Sequence, residues 1–369
     1  MSKRKRLPAD VQTILRLLSY CRPHGTRMDR TFRRKFLTGI PGAYVDAFKN
    51  VHVSRGDNPG VLWSCHTDTV HRTSGRQRLE YHASTGIVCL PTGSPSNCLG
   101  ADDTIGVWLC LEMIRANVPG HYVFHYGEES GGIGSGKLAR AIPETLRDFK
   151  LAIALDRAGY GDVITHQYGQ RTCSEACAQS IGDLLQAADP YLGYQGTHGV
   201  YTDTAEYADL IPECTNLSVG YGSQHSRHEY ADLGFARRLR DALIRVDWTQ
   251  VLIDRDPSVR DFGGWRSYRN LGKWEYDDDR YNLDTPYDRD YTLNGGKLTP
   301  SGDPFWYDDV GLYKGVHTLR DDYPDPLTDD DDAYPVDPYD DDDDDDLIDD
   351  GYAPFWWQGR STVIKGGKS

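Results

Sequence analysis

Residues 61–71 read VLWSCHTDTVH: an apolar run, then His66 and Asp68 two positions apart. On a strand, residues i and i+2 share a face, so this imidazole and this carboxylate emerge side by side where the strand ends. One can hold a metal while the other steadies it. The pair is common in chains of ordinary composition. Its meaning therefore depends on what the rest of the chain places at other strand ends.

The stretch on either side sets the fold class. Residues 50–66, NVHVSRGDNPGVLWSCH, read as strand, Gly/Asn/Pro turn, strand. Upstream, DVQTILRLLSYC carries Val11, Ile14, Leu15, Leu17 and Leu18 at helical spacing. Downstream, TIGVWLCLEMIRA predicts an apolar helix beginning after Asp103, HYVFHYG a strand, and GIGSGKLARAI a short helix. FKLAIALD is a continuous apolar run ending at Asp156, the pattern of a strand buried on both faces. DVITHQY predicts a strand, CSEACAQSIGDLLQAA a helix, CTNLSVGY a strand, and residues 231–253 the last long helix. Alternating strands and helices predict an α/β fold with a mostly parallel central sheet flanked by helices. Ligands of such folds gather at the carboxyl ends of strands.

The charge divides the chain in two. Residues 1–253 carry 28 Lys+Arg against 26 Asp+Glu, whereas residues 254–369 carry 13 against 30. The body is electrostatically balanced, which gives no case for direct nucleic-acid binding. The remainder, with runs such as DPYDDDDDDDLIDDGY, is rich in Asp, Tyr, Pro and Gly and poor in aliphatic residues. Such a segment buries too little apolar surface to offset its chain entropy. The sequence therefore predicts a body over 1–253 and a largely disordered acidic tail over 254–369, able to bind a basic partner. All eight cysteines lie in the body, mostly in apolar surroundings, and read as buried free thiols. Cys173 and Cys177, spaced C-x3-C, do not make a zinc-finger pair. No apolar run is long enough to span a bilayer, and the basic start MSKRKRLPAD lacks the apolar segment of a signal peptide. A reducing cytoplasm is the expected compartment, with no membrane partner.

Four further predicted strand ends or turns carry metal-type side chains. NCLGADDTIGV places Asp102 and Asp103 at a Gly-Ala turn before a helix, and FHYGEESGGIGS places Glu128 and Glu129 after a strand. LAIALDRAG places Asp156 at a strand end, and NLSVGYGSQHSRHEY places His225 and His228 beyond another. Carboxylates and imidazoles are the donors that hard and borderline divalent metals take. Two metals sharing one carboxylate need about five ligand side chains, and the count fits.

In this order, H-T-D-T-V, G-A-D-D, G-E-E-S-G-G-x-G-S, L-D and H-S-R-H-E-Y resemble the dinuclear zinc exopeptidases. That superfamily includes peptidase T, the aminoacylases and glutamate carboxypeptidases, and single-domain zinc aminopeptidases. The resemblance covers about residues 10–250. It implies a cocatalytic site of two zinc ions, with cobalt or manganese as alternative metals. His66 would hold one ion with Glu129, His225 the other with Asp156, and Asp102 would bridge them. Asp68 would accept a hydrogen bond from His66 and fix its tautomer. Glu128 would be the general base, and the Asp102–Asp103 peptide would be cis. Asp103 is the rival bridging ligand, or a cap for the helix that follows. His71, His125 and His228 read as structural or merely nearby. Asp203, in GVYTDTAEY, is a candidate for the margin of the site.

Two departures qualify the resemblance. Thr104 stands where many G-A-D-D members have Lys. More important, 68 residues separate Asp156 from His225, too few for the inserted lid domain of the peptidase T and carboxypeptidase branches. The chain resembles a lidless catalytic domain, and the missing lid leads to the expectation of a monomer. The implied activity is hydrolysis of a peptide or other amide bond, most plausibly as an aminopeptidase. The alternatives are hydrolysis of N-acyl amino acids or other small amides, and a non-catalytic metal-binding protein acting through its acidic tail.

Overall fold

Alternate residues of the strands point to opposite faces of one sheet, and both faces are apolar. Val61, Trp63 and Cys65 enter one core while Leu62 enters another; Leu151, Ile153 and Leu155 do the same against Ala152. A sheet buried on both sides needs helices on both sides. The computed structural model describes residues 7–56, 60–261 and the short strand His317–Thr318.

The main sheet contains β1 (Tyr44–Val45), β2 (Val51–Arg55), β3 (Val61–His66), β4 (Gly120–His125), β5 (Leu151–Arg157), β6 (Asp162–Gln167), β7 (Gln170–Arg171), β8 (Gln195–His198) and β9 (Glu213–Ser218). Its order is β7-β6-β9-β5-β3-β4-β2-β1, with β8 paired to β6. The four central strands β9, β5, β3 and β4 run parallel, and antiparallel pairings flank them. Their carboxyl ends therefore meet along one rim, where His66, Asp156 and the segments after β4 and β9 lie.

Helices α1 (Ala9–Leu18), α2 (Arg27–Phe36), α3 (Ala101–Arg115), α4 (Ile133–Ala141), α5 (Glu175–Ala188) and α6 (Leu233–Arg245) supply the layers. Helix α3 packs on β3 and β5, with α1 and α6 against it. It comes so close that a Cβ on Gly106 would overlap the Leu155 carbonyl oxygen. Helix α1 buries all five apolar positions read from its sequence. Asp10 at its start binds Arg237 at 2.7 Å and Arg240 at 2.9 Å, tying it to α6.

A second, antiparallel sheet joins Tyr221–Gly222, Tyr230–Asp232, Ile87–Cys89, Glu80–His82 and His317–Thr318. One helix departs from the sequence reading and another was not read from it. Helix α6 begins at Leu233, because residues 230–232 pair with 87–89, and it stops at Arg245, where Val246 turns extended (ψ 133°). Helix α2 carries no aliphatic stripe; it buries Phe32 together with Asp29 and Arg33, which bind each other at 3.1 Å. Beyond residue 253 the chain keeps contact with the body as far as Asp261, whose carbonyl accepts from the Arg171 amide. The acidic segments 262–316 and 319–369 lie outside the described residues, and so does the expectation placed on them.

Candidate active site

The five candidate ligands read from the sequence converge at the rim. Asp102 lies in the middle. Its Oδ1 is 3.0 Å from His66 Nε2, and its Oδ2 is 3.3 Å from His225 Nε2. The two carboxylate oxygens thus face two imidazoles on opposite sides. Asp156 Oδ1 stands 3.4 Å from His66 Nε2, and Glu129 Oε1 stands 3.1 Å from His225 Nε2. The grouping differs from the expectation. Asp156 sits with His66, and Glu129 with His225, because β5 lies beside β3 in the sheet while the turn after β4 reaches out toward the His225 loop. Glu128 Oε2 lies 4.0 Å from His66 Nε2, beside the same space.

Each side chain is held by its own local structure. Asp102 and Asp103 depart from helical geometry at the start of α3, after Gly100 in the left-handed region (φ 73°), and their peptide is cis, as the resemblance implied. A Cβ on Gly100 would fall 2.7 Å from His71 Cε1. Asp103 is fully buried; it accepts from the His66 amide at 3.1 Å and from the Gly106 amide at 2.9 Å. It therefore pins the end of β3 to the first turn of α3, the capping role considered for it. His225 stands half-exposed with φ 62°, in a turn that Ser226 closes on the Ser223 carbonyl.

Asp68 does something the sequence did not suggest. His66 Nδ1 lies 3.1 Å from the Asp68 carbonyl oxygen and 3.7 Å from its carboxylate. The carboxylate instead accepts from three successive amides, Gly127, Glu128 and Glu129, at 3.1–3.2 Å. It clamps the turn that presents both glutamates. Glu229, the Glu of H-E-Y, was overlooked. It is buried and accepts from the amides of Leu99, Gly100 and Asp102 at 2.8–3.0 Å. It stands inside the H-S-R-H-E-Y motif, but its partners lie more than a hundred residues away, so the motif alone does not give its role. Arg22 was also missed: fully buried, it donates to the Thr67 carbonyl and the Thr104 hydroxyl and lies over the Phe32 ring. At the other flank Thr202 donates to Asp156 Oδ2 at 2.7 Å and Tyr221 to the Asp156 carbonyl at 2.7 Å. Asp203 lies buried behind Thr202, and its charge bears on Glu128. His71 and His125 are buried structural groups, hydrogen-bonded to Thr69 and Tyr207 respectively, and His228 is exposed.

Electrostatics show what the arrangement favours. Asp102, Glu128, Glu129, Asp156 and Asp203 crowd around two imidazoles. Burial, with Asp102 beside it, pushes Glu129 up to about 7, and burial with Asp102 pushes Asp156 up as well. Burial likewise raises Glu128 far above the usual carboxyl range, with Asp156, Asp203 and Glu129 adding to it. Packing like charges in low dielectric is costly without a counter-ion. The donor set of carboxylates and imidazoles within 4.8 Å of one another fits divalent cations. A cleft opens over them, lined also by Arg157, Gln167, Tyr201, Asn216 and Gln224.

No family model and no curated protein matches the sequence. Among solved structures, the chain is similar to the aminopeptidase PepT from Bacillus cereus at 14% identity over 64% of this chain and 96% of that one, with a TM-score of 0.49. It is similar to PhTET1-12s, described as a dodecamer, at 15% over 65% and 98%, with a TM-score of 0.47. It is also similar to the Pyrococcus horikoshii TET1 peptidase, described as assembling into a tetrahedron or a large octahedral shell, at 16% over 63% and 99%, with a TM-score of 0.44. At these identities the likeness carries nothing about activity. What this site can do follows from its own side chains. The similar structures do correct one expectation. A monomer was expected from the missing lid, yet two of these similar structures, which are matched over almost their whole length, are described as a dodecamer and as a tetrahedron or large octahedral shell. Loss of one dimerising element leaves every other face of the domain available, so the inference does not hold.

Proposed function

We propose that the protein is a dinuclear zinc exopeptidase, acting as an aminopeptidase on peptides. The observation that carries this reading is Asp102, with one oxygen toward His66 and the other toward His225. Asp156 would complete the first position and Glu129 the second. When bound there, the two ions supply Lewis acidity toward a carbonyl and acidify water.

The chain's own residues do the rest. Glu128 lines the cleft with its Oε2 4.0 Å from His66 Nε2, a position from which it would take a proton from water and return it to the leaving nitrogen. Asp68 holds Glu128 in register through its amide. Glu229 and Asp103 fix the turn from which Asp102 projects. Among the described residues none forms a lid over the cleft, which would admit an extended peptide end. All eight cysteines are free thiols, which supports a reducing compartment such as the cytoplasm. Among the described residues no helix is long and apolar enough to cross a membrane.

Glu128→Gln tests the mechanism. The substituted protein should bind metal as the wild type does while hydrolysis of aminoacyl substrates falls about 10²–10⁴-fold. Wild-type turnover by E128Q would exclude Glu128 as the base.

A further inference from the structure

The second sheet carries three donors that the proposed hydrolysis does not use. In the hairpin formed by Glu80–His82 and Ile87–Cys89, Glu80 lies directly opposite Cys89 and His82 opposite Ile87. Side chains alternate along strands. Tyr81 and Val88 turn inward and are buried, so Glu80, His82 and Cys89 share the outer face, half-buried. Their donor atoms lie within 4.8 Å of one another.

The contacts distinguish a metal site from a catalytic thiol. Cys89 Sγ is 3.6 Å from His82 Nε2, and Glu80 Oε1 is 3.5 Å from the same Nε2. In a thiol–imidazole–carboxylate relay, thiol and acid would meet opposite nitrogens of the ring. Here both approach one nitrogen, so the three donors converge on a common point. A tetrahedral zinc with bonds of about 2.3 Å to sulfur and 2.0–2.1 Å to nitrogen and oxygen gives donor–donor edges of about 3.6 and 3.4 Å. The two edges that meet at His82 Nε2, 3.6 Å to sulfur and 3.5 Å to oxygen, are close to those values, and the third lies within 4.8 Å.

We infer that Glu80, His82 and Cys89 form a zinc site of their own, distinct from the cleft around Asp102. One thiolate, one imidazole and one carboxylate make a donor set of the borderline softness that zinc takes. With the donors half-exposed, water completes the fourth vertex. The hairpin is built before the ion arrives: the His82 carbonyl accepts from the Thr85 and Gly86 amides at 3.1 and 2.8 Å. Zinc binds the thiolate, so its binding releases the Cys89 proton. The ion clips Glu80 to Cys89 across the hairpin. Ile87–Cys89 pairs in turn with Tyr230–Asp232, the strand that follows the His225 and Glu229 segment. The clip therefore steadies one wall of the cleft without touching it. The other cysteine cluster, Cys173, Cys177 and Glu213, carries no such inference. It is buried, and Glu213 already accepts from Ser174, Asp254 and Arg255.

Cobalt substitution in the full-length protein tests the site, because the cleft around Asp102 contains no thiol. A cobalt–thiolate charge-transfer band should appear in the wild type and in Cys177→Ser. It should vanish in Cys89→Ser, which should also carry one equivalent of zinc fewer than wild type by elemental analysis. His82→Gln should lose the same equivalent, and it decides the matter if C89S does not fold. Absence of the band from wild type, or its persistence undiminished in C89S, would overturn the assignment. Neither result depends on hydrolysis, so the proposed activity stands or fails separately.

Discussion

Asp102 sets the demands on every neighbour, since a carboxylate presenting both oxygens to two imidazoles must be fixed from behind. Glu229 does that fixing through the Asp102 amide, while Asp68 holds the turn that presents Glu128 and Glu129. Asp68→Ala leaves the amides of Gly127, Glu128 and Glu129 without their acceptor. Buried unpaired donors cost about 1–3 kcal/mol each, partly recovered by water. We expect D68A to lose about 3 kcal/mol of stability in denaturant unfolding. It should also bind zinc more weakly by titration, since both glutamates are freed. A variant as stable as wild type would show that the clamp is dispensable. His66 and Asp156 were legible because each ends an apolar run, where residue type and strand position coincide, and Asp102, Glu129 and His225 were legible from short motifs in the turns beside such runs. Their partition between His66 and His225 was not, since it depends on which strands are neighbours in the sheet. Thr202, Arg22 and Glu229 escaped because their partners are remote in sequence, and a lone Thr or Arg has no spacing to betray it.

Elements bring these residues to one rim, and the tightest junction is α3 against β5. Gly106→Ala places a methyl against the Leu155 carbonyl. Overpacking of this kind costs about 1–3 kcal/mol. A fall of several degrees in Tm should follow, with zinc stoichiometry retained after refolding at low temperature. The α1–α6 tie behaves differently. Arg240 and Arg237 hold the Asp10 carboxyl below its ordinary value, against the opposing effect of burial. A depressed folded-state pKa contributes stability that is complete above the unfolded value and is lost as pH falls through the folded one. Asp10→Asn should therefore cost about 1 kcal/mol near neutrality. The gap from wild type should close in acid, below the ordinary Asp range of about 3.9. A gap independent of pH would place the effect in packing. The parallel core strands and α1, α3 and α5 were readable from unbroken apolar runs and helical spacing. Helix α2 and the second sheet were not: Phe32 is supported by a buried Asp–Arg pair, and the sheet's strands of two or three residues are too short for periodicity to register.

For the molecule as a whole, the proposed dinuclear site implies that cations offset the crowded carboxylates and stabilise the fold. A ligand that binds only the folded state stabilises it by about 2.7 kcal/mol at a hundred times its Kd. Zinc should raise Tm markedly and chelation should lower it, whereas Asp102→Ala should respond much less in differential scanning. The most direct test is anomalous scattering at the zinc edge from crystals of the zinc-loaded protein. Two peaks should flank Asp102, one beside His66 and Asp156 and the other beside Glu129 and His225. A single peak or none between those side chains would contradict the dinuclear site.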